Sequence, residues 1–255
     1  MTREERWMLD EKYGGDAGAP GFAEDCNRLF MGEPVAYVIG HQPFLGLKIY
    51  LDSHPLIPRP ETEHWTEQLL KEKVRTPSVL TFCDLCTGSG AIGCAALKML
   101  PGAKVFFGEI DSAHEATILK NIRENNLDES PYSAKASKGK RADIRIGDLF
   151  APFGDLKFDI IAANPPYIPE NRDLPASVTR YEPSSALRAG ALGLDIIRRI
   201  AAELPKRLAT GGVAWIECDS AHAAIACALF RAQNLTAEIR TDQFGRPRVI
   251  VVSYP

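Results

Sequence analysis

The chain has 255 residues, 45% of them hydrophobic and 25% charged, with a formal net charge of -3. That composition is globular and supports a sizeable core in one large domain or two unequal ones. It argues against a polyelectrolyte partner for nucleic acid, and no stretch is long and apolar enough to span a membrane.

The N-terminus, MTREERWMLDEKYGG, is charged and helical in pattern. It is no secretory signal, and its Asp and Glu do not suit an organelle presequence. Residues 2–13 predict an amphipathic helix. A Gly/Pro-rich break follows, then a second helical piece, FAEDCNRLFMG, ending at Gly32. AYVIGHQPFLGLKIYLD alternates aromatic and aliphatic residues around turn signals and predicts a β-hairpin. HPLIPRPETEHWTEQLLKE starts extended and becomes a helix after Pro60, with acidic residues in its first turn suiting the helix dipole.

From residue 78 strands and helices alternate. VLTFCDL, AKVFFGEI, ADIRIGD, KFDIIAA and GGVAWIEC predict strands; AIGCAALKML, AHEATILKNIRENN, LDIIRRIAAELPKRL and HAAIACALFRAQ predict helices. Residues 164–189 predict a long irregular stretch, and two strand-like runs around FGRP close the chain. This order implies an α/β fold, a mostly parallel sheet with right-handed crossovers, covered on both faces. Such sheets bind ligands at the carboxyl ends of their strands, where Asp84 to Gly90, Glu109, Asp148 and Asn164 all fall.

A basic run, Lys135, Lys138, Lys140, Arg141 and Arg145, reads as a solvated loop. Of the six cysteines, Cys26, Cys94, Cys218 and Cys227 sit in apolar surroundings and read as small core residues of a reducing compartment. Cys83 and Cys86 form a CxxC, a spacing used in redox chemistry and zinc binding. No second pair completes a metal site, and Cys83 sits inside a predicted strand, so no metal is expected.

DLCTGSGAIG holds Gly88, Gly90 and Gly93 in the G-x-G-x-x-G spacing, with an acid, Glu109, about twenty residues on. That matches a dinucleotide loop. However, Asp84 precedes the glycines, and a carboxylate there is a poor neighbour for a pyrophosphate. It suits the cationic amino acid end of S-adenosylmethionine, reached directly or through water. Glu109 ends the second strand of the alternating region, where a carboxylate can accept both hydroxyls of a ribose. Asp148 and Leu149 are placed to border an adenine, Asp148 accepting from its amine and Leu149 packing on the ring; Asp148 reads equally as a turn residue.

After KFDIIAA comes Asn164-Pro165-Pro166-Tyr167. A planar amine or amide nitrogen is a poor nucleophile because its lone pair is delocalised. Two acceptors aimed at its N–H bonds hold it and draw it toward tetrahedral geometry. Asn164 supplies a side-chain carbonyl and Pro165 a backbone carbonyl, held rigid by the prolines; Tyr167 offers a flat face to a planar group. The chemistry serves adenine N6, cytosine N4 or the amide of glutamine. The motif alone does not choose among them.

In this order, AYVIGHQPFLGLKIYLD, LIPRPETE, DLCTGSG, NPPYI, YEPSSAL and GLDIIRRI resemble the HemK/PrmC-type protein-(glutamine-N5) methyltransferases, from about Glu33 to DQFGRPRVIVV. The resemblance implies a class I S-adenosylmethionine-dependent methyltransferase, with a Rossmann-like, mostly parallel seven-stranded sheet and a C-terminal antiparallel strand. It implies methylation of the glutamine of the GGQ motif in a class 1 peptide chain release factor. Residues 1–56, a short helical segment and hairpin, would recognise that protein, and residues 57–255 would form the methyltransferase domain. The implied donor-binding residues are Cys86, Thr87, Gly88, Ser89, Gly90, Glu109 and Leu149, beside Asp84, Asp148 and Asn164 from the residue reading. The implied acceptor clamp is Asn164, Pro165, Pro166 and Tyr167. Arg59, in PRPET, reads as a member of a structural ion pair, and Glu182 and Pro183 as pocket wall.

The chain departs from the family's usual pattern at Cys86 (commonly Gly), Glu109 (commonly Asp) and Leu149 (commonly aromatic). Its region before the hairpin is also shorter than the family's helical bundle. The lysine-rich loop at 128–142 resembles an insertion of a eukaryotic member. Such a member would work in the mitochondrion, with its presequence upstream of Met1; a bacterial one would be cytoplasmic. A monomer without nucleic-acid or membrane partners is expected. The competing readings are an adenine-N6 methyltransferase using the same clamp and a degenerate donor-binding module serving in assembly. The acidity of the chain weighs against the first and the intact acids and glycines against the second.

Overall fold

The computed structural model describes residues 1–73, 80–127 and 140–255. Helix α1 (Arg3–Tyr13) opens with a capping box between Thr2 and Glu5 and ends at Gly14. Helix α2 (Phe22–Phe30) is tied to it by Asp25, which accepts from Lys12 Nζ at 2.6 Å, the Tyr13 hydroxyl at 2.7 Å and Arg28 at 2.9 Å. Met8, Val38 and Ile39 form a small apolar cluster here, with Trp7, Phe22 and Leu29 packed on it.

The predicted hairpin begins later than its alternation suggests. Val35–Ile39 is a short helix, α3, entered from Pro34 and ended by Gly40 at φ +91°. Strands β1 (His41–Phe44) and β2 (Leu47–Tyr50) follow, joined through Leu45 and Gly46, both at positive φ as a two-residue hairpin turn requires. Phe44, Leu47 and Ile49 enter the same buried cluster as Trp65, Phe82 and Phe107. The hairpin is therefore packed as part of the main core.

The remaining elements are α4 (Pro60–Lys73), β3 (Thr81–Leu85), α5 (Ala91–Met99), β4 (Lys104–Glu109), α6 (Glu115–Glu124), β5 (Ala142–Ile146), β6 (Phe158–Ala163), α7 (Ala176–Tyr181), α8 (Asp195–Arg207), β7 (Leu208–Glu217), α9 (Ala223–Arg231), β8 (Thr236–Thr241) and β9 (Pro247–Ser253). The stretch 164–189, expected to be irregular throughout, contains α7, none of whose residues is buried. Its amphipathic signal is correspondingly weak.

The sheet order is β5-β4-β3-β6-β7-β9-β8. Strands β5 to β7 run parallel, and β9 is antiparallel to both its neighbours. The mostly parallel seven-stranded sheet with a C-terminal antiparallel strand is thus present. Alternate strand residues feed two cores. Phe82, Ile160 and Trp215 face α4 and α5, while Cys83, Ile161 and Ile216 face α8 and α9. Burial on both faces is why these strands read as continuous apolar runs. Helix α5 lies so close to β4 that a Cβ at Gly93 would stand 2.2 Å from the Phe107 ring.

The chain order reverses between β3 and β6, and a crevice opens at their carboxyl ends. Among the described residues no helix is long and apolar enough to cross a membrane. Of the basic run, Lys135 and Lys138 lie outside the described residues. Arg141 is no loose surface charge: its guanidinium donates to the carbonyls of Leu97, Leu100 and Ala103, bracing the end of α5.

Candidate active site

The loop after β3 is built from backbone conformations that side chains resist. Cys86, Gly88 and Gly90 have φ of +59°, +55° and +82°. Cys86 thus occupies a left-handed position that favours glycine. A Cβ at Gly88 would meet nothing nearer than Pro55 at 4.0 Å, so the loop leaves open space in front of itself.

Asp84 lies behind this loop with 0% exposure. Its Oδ2 accepts from the Thr87 hydroxyl at 2.5 Å and from the Gly93 N–H at 2.8 Å, while Oδ1 has no partner. Burial lifts the Asp84 carboxyl to about 7; the bonds from Thr87 and Gly93 oppose the rise and Glu109 adds to it. An unfolded Asp titrates near ~4. Between about pH 4 and 7 the native state therefore holds a proton that the unfolded chain has released. The stability tied to protonated Asp84 is complete below about pH 4 and is lost as pH rises to about 7. Asp84→Asn keeps the acceptor for Thr87 and Gly93 and should flatten that fall. Thermal melts of the ligand-free protein at pH 5 and pH 8 check it. Equal pH dependence in parent and variant would show that Asp84 does not titrate in this window.

Glu109, at the end of β4, is held by three backbone donors. Gly88 N–H donates to Oε2 at 2.8 Å, and Ile110 and Asp111 N–H donate to Oε1 at 3.0 and 2.9 Å. It borders a cleft enclosing about 820 Å³ of free space, part of it open to solvent. Cys86, Gly88, Asp148, Leu149, Asn164 and Pro166 also line this cleft. Asp84, Thr87, Ser89 and Gly90 do not; they shape the loop from behind. Asp148 borders the cleft with one oxygen engaged by Arg199 at 2.5 Å.

A second, smaller pocket, enclosing about 480 Å³ of free space that is also partly open to solvent, adjoins the first. Arg59, Pro165, Tyr167, Ile168 and Val178 line it, and Leu56, Asn164 and Ala186 line both. Asn164 thus stands at the junction of two cavities. Its segment is anchored from several sides. Ile168 pairs with Leu187 and Ala189 through N–H···O bonds of 2.8 and 3.1 Å. Arg188 donates to the carbonyls of Pro169, Glu170 and Arg172. Arg59 forms an ion pair of 2.5 Å with Glu182, whose other oxygen accepts the Ile57 N–H. The pocket wall in this region is made by Ser185 and Ala186; Glu182 and Pro183 line neither cavity.

Beneath the junction lies Glu217, at the end of β7 and 1% exposed. It accepts from the Thr62 hydroxyl and Trp65 Nε1, both at 2.7 Å, and from the Tyr167 hydroxyl at 2.8 Å. Burial raises Glu217, and the bonds from Trp65, Thr62 and Tyr167 oppose the rise. Burial and Glu217 together hold the Tyr167 phenol well above its usual value, so it stays protonated. Thr62 in turn accepts from Asn164 Nδ2 at 3.1 Å. Sequence reading misses this group, as it misses Leu56, Ile110, His114 and Ile196 along the cleft. A lone acid in WIEC is the one available sign of it.

A family model, the methyltransferase small domain, matches residues 65–180. The release factor glutamine methyltransferase of Chlamydia trachomatis serovar L2 is 33% identical over 211 residues, which cover 82% of this chain and 68% of that protein. The protein of the same name from Moorella thermoacetica is 34% identical over 252 residues, covering 97% of this chain and 84% of the relative. The chain belongs to the release factor glutamine methyltransferase family. A crystal structure of a methyltransferase from Pyrococcus furiosus superimposes with a TM-score of 0.58 at 16% identity, covering 90% of this chain and 97% of that one. That likeness concerns the fold, which is the class I methyltransferase fold.

Proposed function

We propose that the protein transfers a methyl group from S-adenosylmethionine to the side-chain amide nitrogen of the glutamine in the GGQ motif of a class 1 peptide chain release factor. The observation that carries the reading is Asn164 at the junction of a large cleft and a small cavity. The residues present fit the donor. Glu109 borders the cleft with Oε1 taken by two backbone donors and one lone pair of Oε2 left for a ribose hydroxyl, and Leu149 and Ile196 give an apolar wall for a base. The open face of Gly88 lets a ligand approach the backbone, while Asp84, buried behind the loop and outside the cleft lining, braces the loop through Thr87 and Gly93. When bound, S-adenosylmethionine supplies an electrophilic methyl group on sulfur.

The chain's own residues hold the nitrogen that receives the methyl group. The Asn164 side-chain carbonyl and the Pro165 backbone carbonyl accept its two N–H bonds. Drawn out of the amide plane, the nitrogen recovers its lone pair, and the proton that becomes acidic once the methyl group is attached leaves along one of these two hydrogen bonds to solvent. Among the described residues no Asp or Glu lines the smaller cavity, and Glu217 is occupied by three donors and lines neither cavity. The clamp therefore works by holding and by electrostatics, in a site shaped before the substrate arrives.

Residues 1–56 are read as the part that meets the release factor, with 57–255 as the catalytic part and the chain acting as a monomer. Incubation with radiolabelled donor and either a release factor or duplex DNA tests the reading in bulk. Label is expected on the protein. Label on DNA with none on the release factor would overturn it.

A further inference from the structure

The hydrogen bonds around Glu217 fix more than the position of a loop. A tryptophan N–H can only donate, and a threonine hydroxyl carries a single proton. Trp65 and Thr62 both meet the same oxygen, Oε2, of Glu217. With Glu217 as the carboxylate, the form its three donors favour, Oε2 accepts from both, and the one proton of Thr62 points at Glu217. Thr62 can then meet Asn164 only as an acceptor. The group of Asn164 facing it, 3.1 Å away, must be the NH₂. The amide oxygen is thereby turned away from Thr62, on the side where Asn164 borders the two cavities.

We propose that Thr62, held by Glu217, sets the amide orientation of Asn164 and so decides that an acceptor, not a donor, meets the substrate nitrogen. Thr62 and Glu217 are positioning residues. The proposal rests on the reading that Asn164 holds the nitrogen to be methylated. A flipped amide would aim N–H at N–H, and the clamp would repel the group it has to hold. Tyr167 is fixed by the other oxygen of the same carboxylate. One buried acid therefore orients both ends of the Asn164–Tyr167 segment, and neither contact reaches the reacting atoms.

The test compares Thr62→Val, which keeps the shape and loses the hydroxyl, with Thr62→Ser, which keeps the hydroxyl. Thr62→Val is expected to lose about 10- to 100-fold in kcat with the donor KM nearly unchanged, and Thr62→Ser to recover most of that loss. In an Asn164→Ala background Thr62→Val should add nothing, because its effect passes through Asn164. If the valine variant does not fold, Thr62→Ala gives the same readouts. The protein without donor or acceptor provides an independent one. The side-chain NH₂ signals of Asn164 in selectively ¹⁵N-labelled protein should show one slowly exchanging, hydrogen-bonded proton in the parent and in Thr62→Ser, lost in Thr62→Val. Unchanged signals in Thr62→Val, parent-like turnover, or a loss that persists undiminished beside Asn164→Ala would overturn the proposal. If the parent does not methylate a release factor, the functional reading falls, while the NH₂ signals still decide the orientation.

Discussion

Asn164→Ala is expected to lower kcat by about 100- to 1,000-fold while donor affinity changes by less than about threefold. The asymmetry follows from where Asn164 stands. It borders the donor cleft along with many other residues, among them Cys86, Gly88, Glu109 and Leu149, so its side chain is a small part of that wall. In the proposed clamp it is one of the two carbonyls that hold the nitrogen. Its backbone is set by β6 behind it and two prolines ahead, so truncation should leave the loop in place. Donor titration by calorimetry and single-turnover methyl transfer separate the two effects. A collapse of donor affinity with turnover preserved in the loaded protein would show that Asn164 belongs to the donor site and that the clamp lies elsewhere.

The second large effect is expected far along the chain, at Gly193. Its φ is +68°, and a Cβ there would stand 2.1 Å from the Tyr167 carbonyl oxygen and 3.0 Å from the Pro169 nitrogen. Both obstacles are backbone, so no side chain can swing aside. Gly193→Ala therefore has to move the segment that carries Tyr167. Strain in the left-handed region and the forced displacement together should cost about 2–5 kcal/mol, lowering Tm by about 5–15 °C. Turnover of the folded fraction should fall as well, because the same shift carries Pro165 and Asn164 with it. Gly211→Ala is the control. Gly211 has φ +76° with nothing within 4 Å of its Cβ position and sits near the start of β7, at the opposite end of the sheet from the site. It should show the strain alone, about 1–2 kcal/mol, with turnover retained. Equal effects of the two substitutions would mean that the contact with Tyr167 is not what requires glycine at 193.

The strands were readable because parallel strands buried on both faces must carry continuous apolar runs, and IIAA, after Asp159 in β6, is one. The short helix α3 was not. VAYVI is five apolar residues, mostly β-branched or aromatic, and only the flanking Pro34 and Gly40 mark it as a helical turn. Helix α7 escaped for a different reason: none of its residues is fully buried, so its periodic signal is weak. At the site, Gly88, Gly90, Asn164 and Pro165 stand out in sequence because their chemistry depends on backbone form, and few residue types supply it. Glu217 does not. Its partners Thr62, Trp65 and Tyr167 lie up to 155 positions away, and only the folded sheet brings them to one carboxylate. Asp84 shows the intermediate case. Its position at the end of β3 was legible, but its 0% exposure was not, and that burial makes it a brace for the loop with one oxygen spare.

The most direct measurement is site-resolved. The protein is incubated with S-adenosylmethionine carrying a labelled methyl group and a class 1 release factor, and the peptide spanning GGQ is sequenced by tandem mass spectrometry. One methyl group on the side-chain nitrogen of that glutamine, and none in a release factor with the glutamine replaced by alanine, is the expected result. Label on any other residue, or label that persists in the alanine variant, would contradict the assignment of Asn164 and Pro165 as a clamp for a glutamine amide.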